Sequence, residues 1–196
     1  QAAHNVVTSD GRHHTFSQFG SGSFVKGART HLSRTMLVNP INALLEGADL
    51  INLGVTDIWA RTTFDPDAVV ITPFHRAANR LREIARGANV HGSCGQGVGE
   101  ARHLDITRPE LTIRVKDLFR VNELWRMLQR VQGALRDEMK EVVSGIPITD
   151  EVARERLMLE SARNILPIYQ VYRQFAGIIL VADQSFFKRL AYANER

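Results

Sequence analysis

A single cysteine, Cys94, stands among 196 residues, so no internal disulfide framework can staple this chain. No Cys/His spacing suggests a zinc site, and a reducing, cytoplasmic setting is the simplest reading of such cysteine usage. No apolar run approaches the roughly 20 residues that cross a bilayer, and no signal-peptide pattern opens the chain, so no membrane partner is expected. Aromatic residues are scarce, 7%, and hardly interleave with basic ones. With a net charge of only +4 and no recognition motif, nucleic acid is not an expected partner either. The arginine-rich stretches 114–136 and 154–163 could attract phosphate-bearing ligands in general, or simply be solvated helical faces. Internal repeats and low-complexity tracts are absent.

What is present is an ordinary globular composition, 44% hydrophobic and 23% charged, over a length that supports one sizeable core. Asp10-Gly11 between two extended runs, 4–8 and 12–19, signals a hairpin. A short strand at 35–38 leads into Asn39-Pro40, a cap followed by a first-turn proline. The helix it opens should place Ile41, Leu44, Leu45, Ala48 and Ile51 on one face, with Gly54 ending it. Residues 59–64 and 69–72 read as strands. Pro73 then opens a second helix with Ala77, Ala78, Leu81, Ile84 and Ala85 on its stripe, stopped by Gly87.

From Asp117 to about Val143, Leu118, Val121, Trp125, Leu128, Val131, Leu135, Met139 and Val142 recur at helical spacing and predict one long core-facing helix. Thr149 caps a further helix to about Ile165, Pro167 interrupts, 178–181 reads as a buried strand, and a short helix starts at Ser185. The alternation predicts an α/β fold: a mostly parallel sheet with flanking helices, an N-terminal β-hairpin and a helical excursion after residue 117. Residues 1–196 are expected to form a single, partial α/β domain with 117–175 as its helical subregion. The first residue is Gln1, not Met, and the opening residues already read as strand, so the chain is expected to be an interior piece of something longer.

Four glycines crowd the ten residues from His91 to Glu100, alternating with Ser93, Cys94 and Gln96. Glycine permits positive φ and bare backbone N–H groups, the ingredients of an anion-binding concavity. A plain turn rarely spends so much conformational entropy, so a ligand-facing loop is the expectation. Cys94 lies three residues from His91, a superficial match to a thiol nucleophile and its base, or merely a small residue chosen for fit. Among seven histidines, His4 is distinctive at the start of a strand, while His75 in a first helical turn reads as a packing or capping residue. Arg108, before Pro109, could clamp a phosphate or pair with Glu110.

In order, these residues resemble the adenylosuccinate synthetase family. Ala3-His4-Asn5-Val6-Val7 and then Gly20-Ser21-Gly22 are similar to its Gly-His-Thr strand and Pro-Ser-Gly. Thr72-Pro73-Phe74-His75 resembles its Pro-Tyr-His at a helix start, and the glycine loop its Gly-Thr-Thr-Gly-Arg-Gly-Ile-Gly. Arg114-Val115-Lys116-Asp117-Leu118 resembles its Arg-Val-Gly-Asp-Leu. The series covers residues 1 to about 120; the later helices are compatible but carry no motif.

The resemblance implies a GTP-dependent ligase that joins IMP to aspartate through a 6-phosphoryl-IMP intermediate, with Mg2+, as a homodimer. By the same matching, His4 falls on the catalytic histidine that stabilises the transferring phosphoryl group and acts as an acid. Ser93 and Cys94 fall on the two threonines of the IMP-phosphate loop, and Arg108 on the arginine that reaches into the neighbouring subunit's site. Cys94 lacks threonine's good hydroxyl donor and Gln96 removes an arginine's charge, departures that fit a divergent branch with an altered purine substrate. The family's Gly-Asp-Glu-Gly-Lys-Gly loop, with the magnesium ligands, and its later IMP, aspartate and guanine motifs have no counterpart here, so no turnover is expected from this segment alone. Two other readings stay open. One is a non-catalytic nucleotide- or phosphate-binding or dimerisation module derived from the family; the other is a cysteine hydrolase built on His91 and Cys94.

Overall fold

The computed structural model describes residues 3–89, 91–183 and 185. Strands β1 (His4–Val7) and β2 (His13–Phe16) make the hairpin, antiparallel, with His4 opposite Phe16. Strands β3 (Thr30–Leu32) and β4 (Leu37–Val38) precede helix α1 (Pro40–Asn52), whose cap Asn39 accepts the Asn42 N–H. Strands β5 (Thr62–Phe64) and β6 (Val69–Val70) follow and lead into helix α2 (Pro73–Ala85). β3 pairs with β5 and β4 with β6, both in parallel. Helices α3 (Val98–Thr107), α4 (Val121–Ser144), α5 (Asp150–Glu160) and α6 (Ile165–Ile178) come next. The last strand, β7 (Leu180–Val181), returns to the free side of β5, giving the parallel order β3-β5-β7. The fold is thus α/β, with the hairpin and the helical run after residue 117 that the pattern predicts.

Several boundaries differ for local reasons. The long helix begins at Val121, because the Asp117 carboxylate accepts the Arg114 N–H at 2.9 Å and residues 115–119 wind as a 3₁₀ turn instead. Thr149 does cap α5, accepting the Val152 N–H, but that helix stops at Glu160. Pro167 opens α6 rather than interrupting a helix: it is the third residue, where a missing N–H costs no helical bond. The expected buried strand at 178–181 shrinks to β7, and both its residues are exposed because it is paired only on its β5 side. β3 and α3 escaped the sequence reading. The helix expected from Ser185 lies outside the described residues.

The apolar face expected of α1 is turned. Leu45 and Ile51 are exposed, Ala48 with them, while Ala43, Gly47 and Leu50 are buried together with a charged residue, Glu46. Glu46 faces inward because three backbone N–H groups after β2 converge on its carboxylate: Ser17 at 3.0 Å, Gln18 at 2.7 Å and Phe19 at 3.2 Å. The Ser17 hydroxyl adds a fourth donor at 2.6 Å. A buried carboxylate is tolerable only when donors replace its water in this way. The contact locks the outgoing end of the hairpin onto α1.

The main core joins strand residues Leu32, Val38, Phe64 and Val70 to Phe74, Ala78 and Leu81 of α2. From the other side come Leu124, Leu128, Val131, Leu135 and Met139 of α4 and Phe175 of α6. The α4 stripe holds except at its start, where Leu124 is buried and Val121 exposed. The hydroxyl of Tyr172, fully buried, donates to the Ile71 carbonyl at 2.8 Å and pins α6 to the end of β6. Among the described residues, no helix is long and apolar enough to cross a membrane.

Candidate functional site

β4 and β6 run side by side and in parallel straight into α1 and α2, so two helix N-termini meet at one end of the strand pair. Crevices at the carboxyl ends of parallel strands are where open α/β sheets present ligands. The start of α2 is rigid. Thr72 accepts the His75 N–H, and the His75 Nδ1 accepts the Thr72 N–H at 3.0 Å, a reciprocal capping box. His75 is therefore the packing and capping residue its position suggested, and Nε2 carries its proton.

Burial pushes the His75 imidazole down to about 3 from its ordinary 6.5. The unfolded chain then binds a proton in a window where the folded chain does not, so stability falls as pH drops from about 6.5 toward about 3. At about pH 4.5 this group alone should remove on the order of 2 kcal/mol. His75→Gln keeps a side chain suited to the capping box and should flatten that acid limb. Urea midpoints of parent and variant at neutral and acid pH check this; parallel acid losses in both would refute it.

The glycine loop lies along one stripe of α2. Gly97, at φ +77°, sits so close to the first turn that an added Cβ would lie 2.7 Å from both the His75 carbonyl carbon and the Arg76 nitrogen. One turn later, Arg80 flanks Gly95, and Asn79 exchanges hydrogen bonds with the Ser93 hydroxyl at 3.2 and 3.4 Å. Another turn on, the Glu83 carboxylate accepts the His91 N–H at 3.1 Å, with the Ser93 N–H near enough to favour its ionised form. The loop then feeds α3, whose N-cap is Gly97 and whose first turn has no side-chain cap. Its orphan N–H groups and the helix dipole favour an anion there.

A cavity of about 320 Å³ opens against this loop. The loop supplies Cys94 and Gln96, the segment after β2 supplies Ser17 and Gln18, and the start of α1 supplies Asn39 and Asn42. Asn42 donates to Gln96 at 3.2 Å, and the Gln18 side-chain oxygen accepts the Asn39 N–H at 2.9 Å. Ala3, the residue before His4, also lines it. A larger cavity of about 430 Å³, between α4 and α5 over Met139 and Leu159, brings together none of the candidate residues.

The structure thus gathers some of the candidates and separates others. Cys94 is a free, exposed thiol on the cavity wall. His4 is exposed on β1, next to the wall but not in it. Ser93 is engaged by α2. Arg108 ion-pairs with Glu138 of α4, not with Glu110, and lines a separate, open depression together with Arg82. His91 makes its contact through its backbone, and no thiol–imidazole hydrogen bond joins it to Cys94 among the described residues. Asn79, Glu83 and Asn42 were missed by sequence reasoning. For the first two a signal existed, since polar residues four apart on a helix that leads into a glycine loop share the face the loop must cross.

Comparison with known proteins gives the family. The chain is 28% identical over 130 residues to the adenylosuccinate synthetase of Nitrosomonas europaea, covering 66% of this chain and 29% of that protein. It is 27% identical over 151 residues to that of Neisseria gonorrhoeae, covering 76% and 34%. The chain therefore spans about a third of the length of these relatives. Its fold matches a fully ligated adenylosuccinate synthetase from Plasmodium falciparum with a TM-score of 0.67 at 14% identity, over all of this chain and 41% of that one. The family model for adenylosuccinate synthetase matches residues 1–175, and by that span this chain belongs to the family.

Proposed function

We propose that the chain forms the part of an adenylosuccinate synthetase-like ligase that holds the 5′-phosphate of a purine nucleotide. The reaction is the GTP-driven joining of IMP, or a related nucleotide, to aspartate in purine nucleotide biosynthesis. The observation that carries the reading is the positive-φ glycine loop that delivers the uncapped start of α3 to a cavity edged by Gln18, Asn42 and Gln96 at the ends of β4 and β6. Backbone amides there offer hydrogen bonds to a dianion without burying a lysine. The Ser93 hydroxyl can turn from Asn79 to the phosphate, and Cys94 supplies a weaker donor beside it. His4, one residue after the cavity-lining Ala3, would be the donor to a phosphoryl oxygen as charge shifts during transfer. Arg108 would serve a second subunit of a homodimer by exchanging Glu138 for that subunit's phosphate.

Magnesium belongs to the chemistry that the family implies. Among the described residues no group of three or more His, Cys, Asp or Glu side chains could hold a metal ion. This chain's own part is to bind and orient the nucleotide.

IMP and inosine differ only by the phosphate, so calorimetric titration of both isolates the proposed contact. IMP is expected to bind at least about tenfold tighter, since one set of charge-assisted hydrogen bonds contributes 1.5 kcal/mol or more. Inorganic phosphate should compete with it. Equal affinities for IMP and inosine would overturn the proposal. Phosphate-dependent binding by a full-length relative carrying this segment, without any GTP- and aspartate-dependent consumption of IMP, would favour the non-catalytic module. Gln96 in place of a cation is the feature that points that way.

A further inference from the structure

We infer that Glu83 is a positioning residue of the glycine loop: its carboxylate, held by Arg86, is an internal anion that takes the His91 amide and shapes the loop before a ligand arrives. The inference rests on the phosphate-site reading only for what the shaped loop then binds.

Gly92 follows the donor at φ +67°, a left-handed turn that glycine adopts without strain. The His91 N–H before it turns toward Glu83 at 3.1 Å. The other oxygen of Glu83 meets the Arg86 guanidinium one turn further along α2, which balances its charge. Partial desolvation works against ionisation of Glu83, but the Arg86 pairing and the two loop amides outweigh it and hold the carboxyl below its usual range. Glu83 is therefore an anion throughout the neutral range.

Its neighbours on the helix act in the same direction. Counting back along α2, Glu83 holds His91, Asn79 holds the Ser93 side chain, Arg80 flanks Gly95, and the His75–Arg76 backbone abuts Gly97. Residues three and four apart on one helix thus read the loop from its far end to the start of α3. A glycine-rich segment free in solution would lose its conformational entropy at binding; one already moulded to a helix has lost it on folding. The His91 amide is consumed by this moulding. An incoming phosphate is left with the amides beyond it and with the first turn of α3, next to Cys94 and Gln96, which puts the anion at the cavity.

The test separates shape from binding. Amide hydrogen exchange of the isotope-labelled chain reports the cradle without any ligand, and IMP titration reports the site. Glu83→Ala should speed exchange at His91 about tenfold or more while amides in the α4 core keep their rates. It should weaken IMP about tenfold, since the loop must then be ordered on binding. Glu83→Gln keeps an acceptor oxygen and should restore most of the protection and most of the affinity. Unchanged exchange in Glu83→Ala would overturn the inference, and so would tighter IMP binding, which would make Glu83 a competitor of the phosphate. If the parent fails to bind IMP but Glu83→Ala still loosens His91, the positioning role stands and the nucleotide reading falls.

Discussion

Glu46→Ala is expected to destabilise the chain by about 3–5 kcal/mol, the cost of leaving buried donors without a partner. Three main-chain N–H groups and one hydroxyl end on this carboxylate, which is 6% exposed, and water cannot replace it without entering the packing between α1 and the hairpin. Each stranded donor costs about 1–3 kcal/mol, less whatever water recovers, so the sum is large even after discount. The cluster beneath the hairpin, Phe16, Phe19, Leu50 and Ile58, would loosen with it. The damage should also reach the cavity, because Ser17 and Gln18 line it and Gln18 holds the Asn39 N–H at the start of α1. Glu46→Gln keeps one oxygen but points an amide N–H at other N–H groups, and should fall between parent and alanine variant. Urea denaturation of the three proteins is the measurement; an alanine variant within about 1 kcal/mol of the parent would show that water satisfies these donors after all.

Glu46 also shows where the sequence stops being legible. A 3.6-residue period assigns a carboxylate in the middle of an apolar helix to the solvent side and so turns the predicted face of α1 toward Leu45 and Ile51. What draws Glu46 inward is a set of backbone donors nearly thirty residues earlier, which no local pattern carries. Elements with local chemistry were readable: Asp10-Gly11 for the hairpin, Asn39-Pro40 and Thr72-Pro73 for two helix starts, and Thr149 for a third.

α3 was not readable, since only Ala101 and Leu104 of its ten residues are buried and no stripe announces it. The same division holds at the site. The glycine loop declared itself by composition, and an ordered series of motifs named the family. The partners that shape the loop, Glu83 and Asn79, and the one that holds Arg108, Glu138, depend on which helix packs where. A short β3 or β7 escapes or misleads for a related reason: three residues or fewer leave no period to detect, and their burial is set by whether a second strand covers them.

Gly97→Ala should be the most damaging of the loop's glycine substitutions. An alanine at φ +77° carries left-handed strain of about 1–2 kcal/mol. Here the methyl would also meet the His75 carbonyl carbon and the Arg76 nitrogen at 2.7 Å and the His75 oxygen at 2.9 Å. All three atoms are backbone in a capped first turn, so no rotamer change relieves the overlap. The loop, or α3 behind it, must move away from α2. That helix is not free to move: Arg82 joins α2 to Glu100 at 3.0 Å and to Glu138 at 2.9 Å, and Glu138 in turn holds Arg108 at the far end of α3. Overpacking against a fixed backbone adds about 1–3 kcal/mol, for a total loss of about 2–5 kcal/mol.

Phosphate-dependent nucleotide binding should fall more than tenfold with it, because a shift of about 1 Å misdirects the amides that precede α3. Two sister variants make the comparison internal. Gly92→Ala has the same sign of φ but open space, and should cost only the conformational strain; Gly99→Ala meets nothing within 4 Å at an ordinary helical φ, and should be neutral or slightly stabilising. Thermal melts and IMP titrations of the three variants rank them. If Gly97→Ala melts and binds like Gly99→Ala, then the contact between the glycine loop and the first turn of α2 is not what positions the amides proposed to hold the phosphate.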